Sequence, residues 1–541
     1  MKNLRKILLC TGLALALYAC GSGSDREPSG EKQATRTQKD VATKEAPALA
    51  AEEAVAEEAA PPPPEPDGTP APNTESYQKI EENPFVAAQQ QPVSTFSIDV
   101  DNAAYSNIRR YLQQQNQLPP ADAVRIEEMV NYFSYDYPNP NGPHPFSITT
   151  EVAQCPWNPQ HQLVYIGLQG KKLNYNDLKP SNLVFLVDAS GSMQDANKLP
   201  LLKKSLALLL DQLSQQDKIA IVAYAGAAGL VLPSTPASQK SKILSALNQL
   251  EAGGSTAGGE GIELAYQIAR ENLIKGGNNR VILATDGDFN VGASSAEELV
   301  ALIEQKRKEG VYLTICGFGM GNYKDGQMEA LSNAGNGNYF YIDDIREARK
   351  VFVTEMRANL FTIAKDVKIQ VAFNPQLVKA YRLIGYENRR LNNEDFEDDT
   401  KDAGELGAGH SVTALYEIIP GNSPSNQVVS RQQGSTPAER ISLNAETLLG
   451  VRLRYKPIGS EQSVLLSADV KNKNQDFALS SLNFRFSAAV AGFGLLLRNS
   501  AYKGQLRYDD VIKMGKAALG KDPDGYRAEF IRLVETAKLL K

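Results

Sequence analysis

The chain has 541 residues, which is enough for three or four domains of about 150 residues each. Hydrophobic residues make up 42% and charged residues 22%, so the composition can supply several apolar cores. The formal net charge of −6 argues against a nucleic-acid-binding protein, which needs a basic surface to neutralise phosphates. Only three histidines and four cysteines are present, which argues against a histidine-rich zinc site and a disulfide-stapled fold.

The N-terminus has the pattern of a secretion signal. Basic residues precede an apolar run over 7–17, which is too short to cross a bilayer of about 30 Å as a helix. The run ends in Leu-Tyr-Ala-Cys20, which resembles a bacterial lipobox. The resemblance implies a signal peptide over 1–19, lipidation of Cys20 and, because Gly21 is not aspartate, an outer-membrane address. The alternative is an ordinary secretory signal in which Cys20 is incidental.

Residues 20–76 are predicted to be a disordered tether. The segment is rich in alanine, glutamate and proline, includes the proline run 61–64 and has almost no aromatic residues. Such a composition cannot bury enough apolar surface to offset the conformational entropy lost on folding. In the mature chain Cys155 and Cys316 would remain, and we expect both to be small core residues, with a disulfide as the alternative.

Order is predicted to begin near Tyr77, in an N-terminal region over 77–178. The apolar patterns indicate a strand over 93–100, helices over 103–115 and 121–133, and two strands within 146–169. The segment Asp99-Val-Asp101-Asn102 invites comparison with a calcium-binding EF-hand loop, but the glycine and glutamate that this loop requires are missing. We therefore interpret these residues as polar capping between a strand and a helix.

Residues 179–362 alternate between apolar strands and helical patterns. The predicted strands are 183–187, 219–224, 281–284 and 312–316. The predicted helices are 198–215, 239–250, 258–273, 295–309, 324–333 and 344–362. This alternation is typical of a doubly wound α/β domain, in which ligands bind beyond the carboxyl ends of the strands.

Three short motifs follow the carboxyl ends of strands or precede helices in this domain. Asp188-Ala-Ser190-Gly-Ser192 ends the first strand, Gly-Gly-Ser-Thr256 precedes a helix, and Thr-Asp286-Gly ends the strand 281–284. Together they offer two carboxylates and three hydroxyls at one edge of the sheet. Such hard oxygen donors suit a small divalent cation and are poor ligands for zinc or copper. The alternative is that these residues serve only in capping and turns.

The order of these motifs resembles the von Willebrand factor type A (VWA) domain and its metal-ion-dependent adhesion site. The resemblance implies that Asp188, Ser190, Ser192, Thr256 and Asp286 hold Mg²⁺, with Mn²⁺ or Ca²⁺ as possible substitutes, and that an acidic side chain of a protein partner completes the coordination. Wider similarity, carried by segments such as 94–101, 124–133, 286–292 and 381–387, resembles a bacterial family of VWA lipoproteins and covers residues 77–541.

The last region, 363–541, is predicted to be β-rich and then helical. Strands are expected at 367–373, 412–418, 449–455 and 463–470, and helices at 486–497, 508–519 and 526–540. We expect these strands to pair with those around 146–169, so that the VWA domain is inserted in or flanked by a β-sandwich. Residues 488, 489, 490, 493 and 496 have the apolar spacing of a helix face that packs into a core.

An acidic stretch over 394–405, followed by His410, has two interpretations. It could bind calcium, but its ligands follow no recognised spacing, and the nearby glycines 407 and 409 are typical of turns. We interpret it as a solvated loop between strands.

Two classes of function agree with this organisation. The first is a membrane-anchored, non-enzymatic module that binds a protein partner through Mg²⁺. The second is a metal-dependent hydrolase, which needs a general base beside the ion. No histidine lies between 162 and 409, and Asp288 is the only nearby candidate in the motif, so we favour the binding module. A structural envelope protein with a vestigial site is a third possibility.

Overall fold

The computed structural model describes most of the chain beyond the N-terminal segment. The described residues are 74–174, 178–254, 258–287, 296–427, 443–473 and 475–541. The lipobox with Cys20, nearly all of the predicted tether, and the motif residues Thr256 and Asp288 lie outside this set. Within the described ranges, no helix has the length and apolar character needed to cross a membrane.

The strands are numbered here in chain order. They are β1 Val86–Ala87, β2 Val93–Ser97, β3 Phe146–Cys155, β4 Asn158–Gly170, β5 Ser181–Asp188, β6 Lys218–Ala225, β7 Ala227–Pro236, β8 Asn278–Thr285, β9 Tyr312–Phe318, β10 Tyr339–Ile342, β11 Thr362–Phe373, β12 Val378–Ile384, β13 Arg390–Leu391, β14 Gly404–Gly407, β15 Ser411–Pro420, β16 Thr447–Pro457 and β17 Val464–Lys471.

The α-helices are numbered in the same way. They are α1 Ala103–Gln113, α2 Ile126–Asn131, α3 Leu199–Leu210, α4 Lys240–Asn248, α5 Gly258–Glu271, α6 Ala296–Lys308, α7 Asp325–Ala334, α8 Ile345–Arg349, α9 Met356–Leu360, α10 Leu482–Leu497, α11 Tyr508–Ala517 and α12 Tyr526–Leu540.

Six strands form the sheet of the α/β domain, in the order β10-β9-β8-β5-β6-β7. Neighbouring strands are parallel except at the edge, where β7 runs antiparallel to β6. Alternate residues of β5 belong to two separate apolar cores, one on each face of the sheet. The predicted doubly wound fold is confirmed. Strands β7 and β10 were not predicted, because β7 is largely exposed and β10 has only four residues.

Two antiparallel sheets enclose another apolar core. One sheet has the order β1-β12-β15-β4-β3, and the other has the order β13-β2-β11-β16-β17 with β14 beside β11. Val164 and Ile166 of β4 and Ile369 and Val371 of β11 belong to the shared core. Because β4 precedes the α/β domain and β11 follows it, that domain is inserted into a β-sandwich, as predicted.

The predicted pairing within the sandwich was partly wrong. Of the four strands predicted after residue 362, only β15 pairs with β4. The other three, β11, β16 and β17, lie in the facing sheet, where β11 also pairs with β2. Alternating apolar residues indicate which side chains face a core, but they do not specify which strand lies alongside.

Helices α10 to α12 pack with α1 and α2 around a fourth core. Between Phe484 and Leu496 every residue of α10 except Arg485 is buried, so this helix is enclosed on all sides rather than on one face. Gly494 allows α10 to approach α2 closely, because a Cβ atom there would lie 2.7 Å from Cγ1 of Ile126.

Two of the predicted helices are interrupted. Within 121–133, a 3₁₀ turn ends at Ala123 and α2 begins only at Ile126. Between them Arg125 adopts an extended backbone conformation, and its guanidinium binds the buried carboxylates of Asp325 and Glu329. Within 344–362, a π-helical turn over Lys350–Thr354 separates α8 from α9. Helical periodicity alone does not reveal such local changes in hydrogen bonding.

Both cysteines of the described chain are core residues. Cys155 lies in the core around α10, and Cys316 lies within β9 in the core of the α/β domain. Both are buried and neither forms a disulfide. The interpretation of these residues as core side chains is confirmed.

Arg109 of α1 joins three separate parts of the chain through buried ion pairs. Its guanidinium binds Asp343 at 2.7 Å, Glu347 of α8 at 2.6 Å and Glu529 of α12 at 2.9 Å. These side chains are at most 4% exposed. The network therefore connects the α/β domain to both the N-terminal and the C-terminal helices.

Replacement of Arg109 by methionine should strongly destabilise the fold. The substitution keeps an apolar stem but leaves three buried carboxylates without their shared cation, and we expect the free energy of unfolding to fall by about 3–5 kcal/mol. Urea unfolding followed by circular dichroism measures this loss. Lys516→Met is the control, because Lys516 forms an exposed pair with Glu535, and it should cost less than about 1 kcal/mol. Equal, small losses in both variants would contradict the prediction.

Candidate functional site

The carboxyl ends of two adjacent strands bring the two motif carboxylates to the same edge of the sheet. Asp188 is the last residue of β5, and Asp286 directly follows β8. These strands are parallel and in register, with Val187 opposite Ala284. Both carboxylates are fully buried, whereas Ser192 in the loop after β5 is exposed. The site is therefore open to solvent on the side of this loop.

A chain of hydrogen bonds runs from one carboxylate to the other. The Ser190 hydroxyl donates to Oδ1 of Asp188 at 2.6 Å, and the Ser190 amide also donates to this atom at 3.0 Å. The hydroxyl oxygens of Ser190 and Ser192 lie 3.0 Å apart, and Ser192 hydrogen-bonds Asp286. The structure thus brings together four of the five predicted ligands, which all offer oxygen atoms.

The glycine-rich turn packs directly against the loop after β5. The Gly253 amide donates to the carbonyl of Ala189 at 2.8 Å, and the Gly191 amide donates to the carbonyl of Gly254 at 3.1 Å. These backbone bonds hold the two motifs side by side. Thr256, the fifth predicted ligand, follows this turn and lies outside the described residues.

A buried lysine that the sequence analysis did not identify lies at the same site. Lys198 directly precedes α3, and its ammonium donates to Oδ2 of Asp286 at 2.9 Å. The only local signal was a charged residue directly before the apolar first turn of a helix. Its contact with Asp286, 88 positions later in the chain, could be seen only in the tertiary structure.

The two carboxylates have different electrostatic environments. Burial raises the pKa of Asp188 above its ordinary value, and the hydrogen bonds from Ser190 offset this shift only in part. Burial also acts to raise the pKa of Asp286, but the hydrogen bond and positive charge of Lys198 outweigh it, so this pKa is lowered. Carboxylate and hydroxyl oxygens are the donors that Mg²⁺ prefers, and the residues present fit such an ion.

A second group of carboxylates lies buried elsewhere. Asp101, Glu128 and Glu329 offer oxygen atoms that all lie within 4.8 Å of one another. Two guanidinium groups neutralise part of their charge: Arg389 binds Asp101 and Glu329 at 3.0 Å, and Arg125 binds Glu329 at 2.9 Å. This triad forms part of a buried ion-pair network.

The capping interpretation of the Asp-Val-Asp-Asn segment was wrong. Asn102 precedes α1 but its side chain does not cap the helix. The helix amide of Ala104 donates instead to Glu128 of α2, at 2.8 Å. Asp101 accepts a hydrogen bond from the Tyr339 amide at 2.8 Å. The segment therefore lies among contacts with α2 and β10. Its local sequence does not reveal these contacts.

The acidic stretch over 394–405 is largely a surface segment. It contains a 3₁₀ turn over Glu394–Phe396, and the exposed Glu397 pairs with arginines 452 and 454 of β16. Glu405 differs from the rest, because it lies within β14, is partly buried and accepts a hydrogen bond from Asn336. Burial raises the pKa of Glu405 to about 8, and the negative charge of Asp402 adds to this shift.

Comparisons with known proteins agree with this fold. Family profiles match residues 71–165 (von Willebrand factor), 182–354 (von Willebrand factor type A domain) and 358–540 (Uncharacterized protein YfbK, C-terminal). The chain is thus a VWA domain protein, in which the α/β VWA domain is inserted into a β-sandwich.

The chain is 43% identical over 477 residues to a protein of Escherichia coli (strain K12), Uncharacterized protein YfbK, and the match covers 86% of this chain and 81% of that protein. The chain belongs to the YfbK family. It is also 31% identical over 166 residues to human inter-alpha-trypsin inhibitor heavy chain H4, over 29% of this chain and 18% of that protein. A solved structure, the von Willebrand factor type A protein from Catenulispora acidiphila, aligns with 72% of this chain and 89% of its own, at 16% identity and a TM-score of 0.41.

Glu405 should make the stability of the protein depend on pH. Its pKa is about 8 in the folded chain and close to 4.5 when unfolded, so between these values the folded state holds the extra proton. The free energy of unfolding should therefore rise as the pH falls from 8 towards 5. Replacement of Glu405 by glutamine should reduce this slope by up to about 1.4 kcal/mol per pH unit.

Urea unfolding at a series of pH values measures this slope. Glu128, whose pKa burial also raises to about 8, acts in the same direction, so some slope should remain in Glu405→Gln. Glu397→Gln is the matched control from the same segment, because it removes an exposed carboxylate and leaves Glu405 in place. An unchanged slope in Glu405→Gln would contradict the prediction.

Proposed function

We propose that this protein is a lipid-anchored protein of the cell envelope that binds a protein partner through Mg²⁺ without catalysing a reaction. The observation that carries the proposal is the hydrogen-bonded chain of oxygen donors from Asp188 through Ser190 and Ser192 to Asp286 at an open sheet edge. Strand ends of this kind are where open α/β sheets bind ligands.

Each side chain of the site would have a defined part in this binding. The hydroxyls of Ser190 and Ser192 and the carboxylates of Asp188 and Asp286 would hold the ion directly or through water, together with Thr256. The bound ion would supply a coordination position for an acidic side chain of the partner. Because Ser192 is exposed, the partner can approach from the loop after β5.

The positions of the three histidines support binding rather than hydrolysis. His144 lies beside Tyr455, and His161 binds Glu417 and Ser425, all within or next to the β-sandwich. His410 directly precedes β15 of the same sandwich. None of them belongs to the α/β domain, so they supply no general base at the proposed ion site.

Calorimetric titration of the purified chain with MgCl₂, and separately with MnCl₂, tests the ion site. We expect one saturable site, and a loss of affinity of at least about tenfold in Asp188→Ala, because a buried carboxylate ligand is removed. Asp211→Ala is the control, since Asp211 is a half-exposed carboxylate of the same domain that pairs with Lys240. No binding by folded wild-type protein, either alone or with added acetate as a carboxylate ligand, would contradict the ion site and favour a structural role.

Replacement of Cys20 by serine should release the protein from the membrane. Several acyl chains at about 0.8 kcal/mol for each buried CH₂ group hold a lipoprotein in the bilayer, whereas serine accepts no thioether-linked lipid. Labelling cells with palmitate and separating inner, outer and soluble fractions measures both effects. Cys10→Ser, inside the signal segment, should leave labelling and outer-membrane fractionation unchanged. Wild-type protein that is unlabelled and soluble would refute the anchor.

A further inference from the structure

Lys198 occupies a defined place at the proposed ion site. Its side chain is 7% exposed, and its ammonium contacts Asp286, which is fully buried. A lysine is rarely buried unless its charge is paired, and here the partner is a carboxylate of the ion site itself. The site therefore already contains one cation that belongs to the chain.

The surrounding backbone leaves room for this side chain. Gly319 follows β9 with a φ of +74°, and a Cβ atom there would lie 2.3 Å from Cε of Lys198. Any larger residue at position 319 would displace the lysine. The Tyr341 hydroxyl donates to the Gly319 carbonyl and holds this turn in place. The conformation of the turn at Gly319 therefore leaves space for the Lys198 side chain to reach Asp286.

Lys198 changes the net formal charge of the site. The carboxylates of Asp188 and Asp286 carry a formal charge of about −2, and Lys198 reduces it to about −1. A divalent ion would bring the site to about +1 with the lysine present, but only to about 0 without it. A net positive loaded site attracts an anionic group more strongly than a neutral one does. Lys198 therefore both competes with the ion and favours an acidic ligand.

We propose that Lys198 lowers the affinity of the site for the ion alone and makes ion binding depend on a carboxylate from the partner. The inference rests on the proposed function of the same site. It assigns the lysine a role in selecting a partner that presents an exposed aspartate or glutamate. Ion and partner would then bind cooperatively, each raising the affinity for the other.

Calorimetric titration of the full chain with MgCl₂, with and without excess sodium acetate at matched ionic strength, tests this role. In wild-type protein we expect acetate, the carboxylate probe, to raise the affinity for Mg²⁺. In Lys198→Met we expect the affinity for Mg²⁺ alone to rise by roughly tenfold and the effect of acetate on this affinity to be smaller than in wild-type protein. Lys198→Gln, which keeps a hydrogen-bond donor without the charge, should behave like Lys198→Met and guards against misfolding of that variant.

Lys204→Met is the matched control, because Lys204 lies on α3 but is exposed to solvent, and it should titrate like the wild type. The inference would be overturned if both Lys198 variants bound Mg²⁺ as weakly as the wild type, or more weakly, while Asp188→Ala still abolished binding. In that case the proposed function would still stand. No Mg²⁺ binding by any folded variant, with or without acetate, would overturn both.

Discussion

The architecture depends on arginines that are buried where the inserted α/β domain meets the rest of the chain. Arg109, Arg125 and Arg389 are each nearly or fully enclosed and bind carboxylates from distant elements. A buried charge that loses its partner is strongly destabilising, even though an intact pair adds little net stability over an apolar contact. These networks therefore specify which surfaces meet, and the apolar cores supply most of the favourable free energy.

The candidate ion site depends on a different constraint, which is the common direction of parallel strands. Asp188 and Asp286 are far apart in sequence, but they end adjacent strands and so arrive at the same edge. Removing two carboxylates from water is costly, and hydroxyl groups and one ammonium partly offset the cost. The same donors can serve an ion, so the stability of the site and its binding chemistry depend on the same atoms.

One loop contacts both the ion site and the buried arginine network. Gly319 borders Lys198, Asn322 hydrogen-bonds Asp286, and Asp325 at the start of α7 binds Arg125. The loop is short, with only five residues between Gly319 and Asp325. It therefore links the sheet edge physically to the segment around α2, which begins directly after Arg125.

Much of the architecture could be predicted from sequence because the signals are local. Continuous apolar runs marked β5, β6, β8 and β9, and alternation marked the longer sandwich strands, since burial on one or two faces leaves a characteristic period. Short or exposed strands such as β7 and β10 carry too little of this pattern. The pairing partners of β11, β16 and β17 were also missed, because alternating apolar residues do not specify which strand lies next to a given strand.

The sequence by itself determined the class of fold, the insertion of the α/β domain and the identity of the motif residues Asp188, Ser190, Ser192 and Asp286. Only the tertiary structure decided that Lys198 binds Asp286 and that Asp101 joins a buried network instead of capping α1. The physical reason is the range of the interactions. Periodicity and turn chemistry act over a few residues, whereas a buried charge takes its partner from whichever element packs against it.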